Sequence, residues 1–290
     1  MLQKVEPKAK SLNEHRGLSW LAQKVEQVRK APFSEVVTIT PEIAQHILDA
    51  NYENRNVSQG LIDQIAEDIE HGRWQMNGEA IVLAKNGELN DGQHRLRACI
   101  EAKSSIQTII VFGVARDSRL TVDMGKPRTT GDFMGMQGVK NANNVATIAR
   151  LYDAYLKDYF YRTAIWQTKQ YLLEFYHKHA KRLDAATTRA QNTYARRVVG
   201  LPAYGAAFLI IHAANPVEAE IFFQRIQDGA NLSRGNAILA LRMRLQNVKE
   251  QRLQLHEITG LILAHWNAWR KGKQISRSLN VPASWPRVEK

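Results

Sequence analysis

Leu89-Asn90-Asp91-Gly92-Gln93-His94-Arg95-Leu96-Arg97-Ala98-Cys99-Ile100 decides how the first half of the chain is read. Leu89 to Asp91 reads as the returning strand of a hairpin, Gly92 interrupts it, and Leu96, Cys99 and Ile100 fall on one face of a helix ending near Ala102. A strand that turns into a helix at a glycine leaves the first N–H groups of the helix without internal acceptors, at the positive end of the helix dipole. Such a turn is an anion site: Gly92 lets the backbone approach a ligand, and Arg95 and Arg97 add charge-assisted contacts to a phosphate. Asp91 can cap the helix, orient His94 or hold a metal ion carried by the phosphates, which makes Asp91 and His94 the candidate catalytic pair. On spacing alone the same residues also describe a plain capped helix with solvated cations.

Working outward, residues 80–84 form a strand, Lys85-Asn86-Gly87-Glu88 carries an Asn-Gly turn signal, and the β-branched run 106–114 predicts another strand. Upstream, Val36 to Ile39 is a strand. Thr40-Pro41-Glu42 starts a helix through Ala50, and Ser58 caps a second helix, carrying Leu61, Ile62, Ile65, Ala66 and Ile69, that stops near Gly72. Beyond Gly138 the pattern becomes helical, with helices expected at 144–159, 166–179, 183–198, 202–212, 216–227, 234–248 and 256–269. The expected organisation is α+β: a basic N-terminal arm (1–33, with one short amphipathic helix), a small mixed α/β domain (34–138), an all-α domain (139–272) and a loose basic tail (273–290).

The order of elements, together with Asn54-Arg55 and Gly92-Gln93-His94-Arg95-Leu96-Arg97-Ala98, resembles the N-terminal domain of the ParB and sulfiredoxin superfamily over residues 36–115. The helical half has no part in the resemblance. In partition proteins of that superfamily the turn reads Gly-Glu-Arg-Arg-x-Arg-Ala and binds the triphosphate of CTP with an upstream Asn- and Arg-containing box. Sulfiredoxins have Gly-Cys-His-Arg there and bind ATP. The resemblance therefore implies a nucleoside triphosphate, CTP or ATP with or without Mg²⁺, on Asn54, Arg55, Gly92, Gln93, His94, Arg95 and Arg97. Gln93 stands where the sulfiredoxin cysteine would be, which argues against thiol chemistry. It also replaces the glutamate of the CTP-binding turn, and His94 makes one contact dependent on pH.

The chain carries 40 Lys and Arg against 28 Asp and Glu, a formal charge of +12 that favours polyanionic partners such as DNA. Arg196, Arg197, Arg234, Arg242 and Arg244 are the candidate phosphate-backbone contacts in the helical half. Residues 216–246 are the nearest approach to a helix-turn-helix, with Ser233-Arg234 opening the second helix, although a plain helical hairpin reads as well. In the segment 123–130, Arg128 is a further phosphate candidate, and Asp123 with Asp91 could hold Mg²⁺. Cys99 reads as a buried core residue, and the tyrosines of 152–161 as core packing. No apolar run is long enough for a membrane span, and no zinc spacing, P-loop or nucleophile elbow is found. The expectation is a cytoplasmic, nucleoid-associated protein of phage or plasmid type that binds nucleotide at the turn, with slow CTP or ATP hydrolysis as its candidate activity, and DNA through its basic surface, with a homodimer as the candidate oligomer. The alternatives are a phosphotransferase or nuclease using the same pocket, and a DNA-binding protein without nucleotide activity.

Overall fold

The computed structural model describes residues 14–27, 32–49, 51, 54, 56–121, 128–161, 164–191, 200–247 and 250–290. It is an α+β molecule with a four-stranded mixed sheet and, among the described residues, 11 α-helices. The chain divides into two compact units, 1–127 and 128–290.

The first unit is built on strands β1 (Phe33–Ile39), β2 (Ile81–Ala84), β3 (Leu89–Asp91) and β4 (Ile106–Val114), in the order β1-β4-β2-β3. The β2–β3 pair is the antiparallel hairpin expected from Asn86-Gly87, whereas β2 lies parallel to β4 and β1 antiparallel to it. Helices α1 (Glu14–Gln27), α2 (Pro41–Asp49), α3 (Gln59–Glu70) and α4 (Gln93–Glu101) complete the unit. Thr40 caps α2, accepting from the Ile43 amide at 3.3 Å. Ile39, Ile81, Leu89, Leu96, Ile110 and Phe112 are fully enclosed and form the centre of the core. Within the expected basic arm the amphipathic helix forms over residues 14–27, and it is packed on the unit: Leu21 is buried, Trp20 meets Phe112 edge-on, and Lys24 pairs with Glu35 at 2.8 Å. Cys99 is enclosed as expected. Its thiol donates to the Ser104 carbonyl at 3.0 Å, and burial pushes its pKa up to about 12.

The second unit is all helical: α5 (Thr130–Met136), α6 (Ala142–Leu156), α7 (Lys169–Gln191), α8 (Leu201–Ala214), α9 (Pro216–Asp228), α10 (Ala237–Gln246) and α11 (Leu255–Arg270). It begins at Arg128, earlier than the expected boundary near 138, because α5 packs on α6: a Cβ added to Gly131 would lie 2.8 Å from the Asn143 Cα. The helices expected at 166–179 and 183–198 are joined in α7, since Ala180-Lys181-Arg182 holds nothing that breaks a helix. Apolar α8 runs through the core beside Phe222, Phe223, Leu261 and Trp266. Asp153, enclosed in α6, accepts from the Trp166 and Gln167 side chains at 2.8 Å and the Tyr171 hydroxyl at 2.6 Å, which ties α7 and the segment before it to α6.

The expected loose tail is a strap. Trp285 is buried against Tyr155 and Phe160 and donates to the Tyr159 carbonyl at 2.9 Å. The Glu289 carbonyl accepts from Trp266 and the Arg287 carbonyl from Asn267, while the Leu279 amide donates to His265 Nε2 at 3.2 Å. A segment rich in basic residues packs here because a buried aromatic ring and a series of hydrogen bonds to α11 act together against the cost of ordering it.

Candidate functional site

The turn forms where β3 runs into α4. Gly92 is its N-cap at φ 110°, a region open to glycine and strained for other residues. A Cβ there would lie 2.9 Å from Ile81 Cγ1 and 3.3 Å from the Ile81 Cα, so the glycine is needed for close packing on β2. Gln93, His94 and Arg95 follow on the first turn of α4 and are all nearly enclosed, while Arg97 is exposed.

Arg95 faces the protein. Its Nη1 donates to the Glu79 carbonyl at 2.6 Å, and Nη2 donates to the Ala80 carbonyl at 3.0 Å and to Asp91 Oδ2 at 2.8 Å. This one guanidinium fixes the entry to β2, the end of β3 and the start of α4. These three bonds engage three of its five N–H donors inside the protein, beside the phosphate clamp expected of it. Asp91 is likewise committed to Arg95, so a metal-binding role for Asp91 would require that ion pair to break.

His94 also points inward, its Nε2 accepting from the Ser58 amide at 3.1 Å. That amide opens α3, whose cap Ser58 makes no side-chain cap bond, so the imidazole does the capping. The bond fixes the tautomer, with Nε2 unprotonated.

Asparagines bring the upstream segment to the turn. Asn54 Nδ2 donates to the Leu89 carbonyl at 2.7 Å and also to Asn51 Oδ1, and Asn51 Nδ2 donates to Gln93 Oε1 at 3.3 Å. From the other side Arg116 Nη1 donates to the Leu89 carbonyl at 2.6 Å and to Asn90 Oδ1 at 2.8 Å, with its Nε on Glu88 at 2.9 Å. Both lone pairs of the Leu89 carbonyl are therefore in use.

Of the expected nucleotide residues, Asn54, Gly92, Gln93, His94 and Arg95 come together, and Arg97 shares their helix. Arg55 and Asp123 lie outside the described residues. Arg128 is exposed at the start of the helical unit. Asn51, Ser58, Asn90 and Arg116 were not expected. Asn51, three residues before Asn54, carried a trace in the sequence; Arg116, beyond β4, carried none.

Among the expected DNA contacts, Arg196 and Arg197 lie outside the described residues. Arg234 is exposed, in the loop before α10 and not at the start of that helix, which opens at Ala237 under an Asn236 cap. Arg242 turns inward. It donates to the Ile226 carbonyl at the end of α9, with its guanidinium over Gly229, where the lack of a Cβ makes room. Arg244 is half-buried. Among the described residues, no helix is long and apolar enough to cross a membrane.

No family model, curated protein or solved structure matches the chain.

Proposed function

We propose that the β3–α4 turn binds the phosphates of a nucleoside triphosphate and that the helical unit engages DNA. The observation that carries the first part is the convergence on the turn of Asn51 and Asn54 from the upstream segment, through Gln93 and the Leu89 carbonyl. Residues so distant in sequence meet where the N–H groups of α4 have no helical acceptor, the arrangement that the ParB-like resemblance implies. Within this reading Arg95, Asp91 and His94 hold the shape of the turn. Arg97, exposed and without an ion pair among the described residues, supplies charge to the ligand.

The second part rests on where the charge sits. Residues 128–290 hold 24 Lys and Arg against 11 Asp and Glu, a surplus of 13, whereas residues 1–127 hold 16 against 17. All of the positive surplus belongs to the helical unit, which suits a phosphate backbone.

Thermal shift with CTP, ATP and GTP, each with Mg²⁺, tests the nucleotide site. A shift with one of them that Arg97→Ala removes supports it. No shift with any of the three overturns it.

A further inference from the structure

We infer that the DNA-binding face of the helical unit is a patch made by two loops, residues 229–236 between α9 and α10 and residues 270–278 after α11. The inference rests on the DNA half of the reading above and assigns it a place. The loops are joined by a backbone hydrogen bond from the Ile275 amide to the Gly235 carbonyl at 2.8 Å, and the end of the Gln274 side chain lies over Gly235, in the space a Cβ there would enter. Arg234 is next to that bond on one side, and Lys273 and Arg277 are two residues from it on the other. All three are exposed, and among the described residues none has an ion pair.

Five other cations of the unit are occupied, whereas Arg128, Lys140, Lys169, Arg252 and Arg287 are exposed singly elsewhere along the unit. Arg189 pairs with Glu220 at 3.0 Å, Lys271 with Glu289 at 2.6 Å and Arg270 with Glu218 at 3.4 Å. Lys157 rests on the rings of Trp166 and Tyr171, and Arg242 caps α9. The two loops together contain five Lys and Arg, of which Arg270 and Lys271 are the paired ones just described, and no Asp or Glu of their own. By contrast, the exposed cations Lys178, Lys181 and Arg182 of α7 share their helix with exposed Glu174 and Asp184. The patch also presents Ser233 and Ser276, exposed hydroxyls that donate readily to phosphate oxygens. Lysine at the end of α11 offsets the helix dipole, but Lys271 already serves there, and Arg234 and Arg277 lie outside that last turn. Three cations without an ion pair among the described residues, on two linked loops that contain no Asp or Glu, fit the repeating phosphates of a duplex.

The test measures binding of a fluorescent 20-base-pair duplex to the full chain across a salt series. Arg234→Ala/Lys273→Ala/Arg277→Ala is compared with Lys178→Ala/Lys181→Ala/Arg182→Ala, which removes the same charge elsewhere. The patch variant is expected to lose about tenfold or more in affinity and to flatten the salt slope by about two to three, one for each lost phosphate contact. The α7 variant should stay within about twofold of the parent, and both should melt like it. Equal losses in the two variants, or none in the patch variant, overturn the patch and leave DNA binding standing. Absence of duplex binding by the parent at low salt overturns the DNA half itself. Binding by the parent to phosphatidylserine vesicles in preference to the duplex, abolished in the patch variant, overturns the assignment in favour of a lipid surface.

Discussion

Cationic side chains in the two units do opposite work. In the first unit Arg95 and Arg116 are drawn inward onto backbone carbonyls and carboxylates, and the unit as a whole is near neutral. In the helical unit an apolar core and buried tryptophans hold the fold, and many of the arginines and lysines are left at the surface. A motif rich in arginine therefore does not by itself identify a ligand site. What matters is whether the guanidinium has already found acceptors inside the protein.

The comparison is broken most directly by removing one fixing residue from each unit. Arg95→Ala leaves the Asp91 carboxylate and two carbonyls without their partner and should cost about 3–5 kcal/mol. Trp285→Ala empties a pocket of Tyr155 and Phe160 and loses the bond to the Tyr159 carbonyl, also about 3–5 kcal/mol. In denaturant titrations followed by hydrogen exchange, the first should lower protection in the sheet and the second in α6 and α11. A cost under about 1 kcal/mol for Arg95→Ala would show that the guanidinium is not needed internally, and would return it to the ligand.

A smaller effect separates the units by pH. His265 is enclosed in α11, its Nδ1 donating to the Leu261 carbonyl at 2.8 Å and its Nε2 accepting from Leu279 and Ser278. Burial, with a smaller contribution from the nearby Arg244 charge, pushes its pKa down to about 4. Above the unfolded value near 6.5 both states are neutral and stability is full. As the pH falls, the unfolded ring binds a proton that the folded ring refuses, so stability is lost progressively down to the folded value. The expected loss between pH 7.5 and 5 is about 2 kcal/mol, confined to the helical unit. His265→Asn, whose amide can still donate and accept, should flatten that slope. An unchanged slope in this variant would place the pH sensitivity elsewhere.

Gly92→Ala should cost about 1–3 kcal/mol, from positive φ and from contact with the Ile81 backbone. This is measured by thermal melting. A neutral result would mean that the turn can relax away from β2.

The elements that were legible in the sequence are those with local causes. Thr40-Pro41 starts α2, Asn86-Gly87 turns the β2–β3 hairpin, and Gly92 joins β3 to α4. The anion-site proposal for the turn draws on the same kind of local signal, since helix N-terminal chemistry depends on neighbours in the chain. What escaped depends on backbone acceptors far away in sequence. The carbonyls of Glu79 and Ala80 carry no side-chain signal, so nothing in the sequence of the turn distinguishes the inward Arg95 from the outward Arg97. Arg242 turned inward because Gly229 cleared space for it, and the strap looked loose because its cations outnumber the one tryptophan that holds it.

The smallest expected effect is the sharpest for function. Arg97→Ala removes an exposed side chain with no ion pair among the described residues, so the melting temperature should stay within the change expected of about 0.5 kcal/mol. Any nucleotide-induced shift should nevertheless fall, because a charge-assisted phosphate contact is worth about 1.5–3 kcal/mol. Arg95→Ala reverses the pattern: stability falls first, and nucleotide response falls only because the turn has lost its shape. Arg95→Lys separates the two roles. A lysine can reach one acceptor but cannot span the Glu79 and Ala80 carbonyls and Asp91 together, so it should remain destabilised although its charge is kept. If Arg95→Lys were stable and bound nucleotide normally while Arg97→Ala had no effect, the inward and outward assignments at this turn would have to be exchanged.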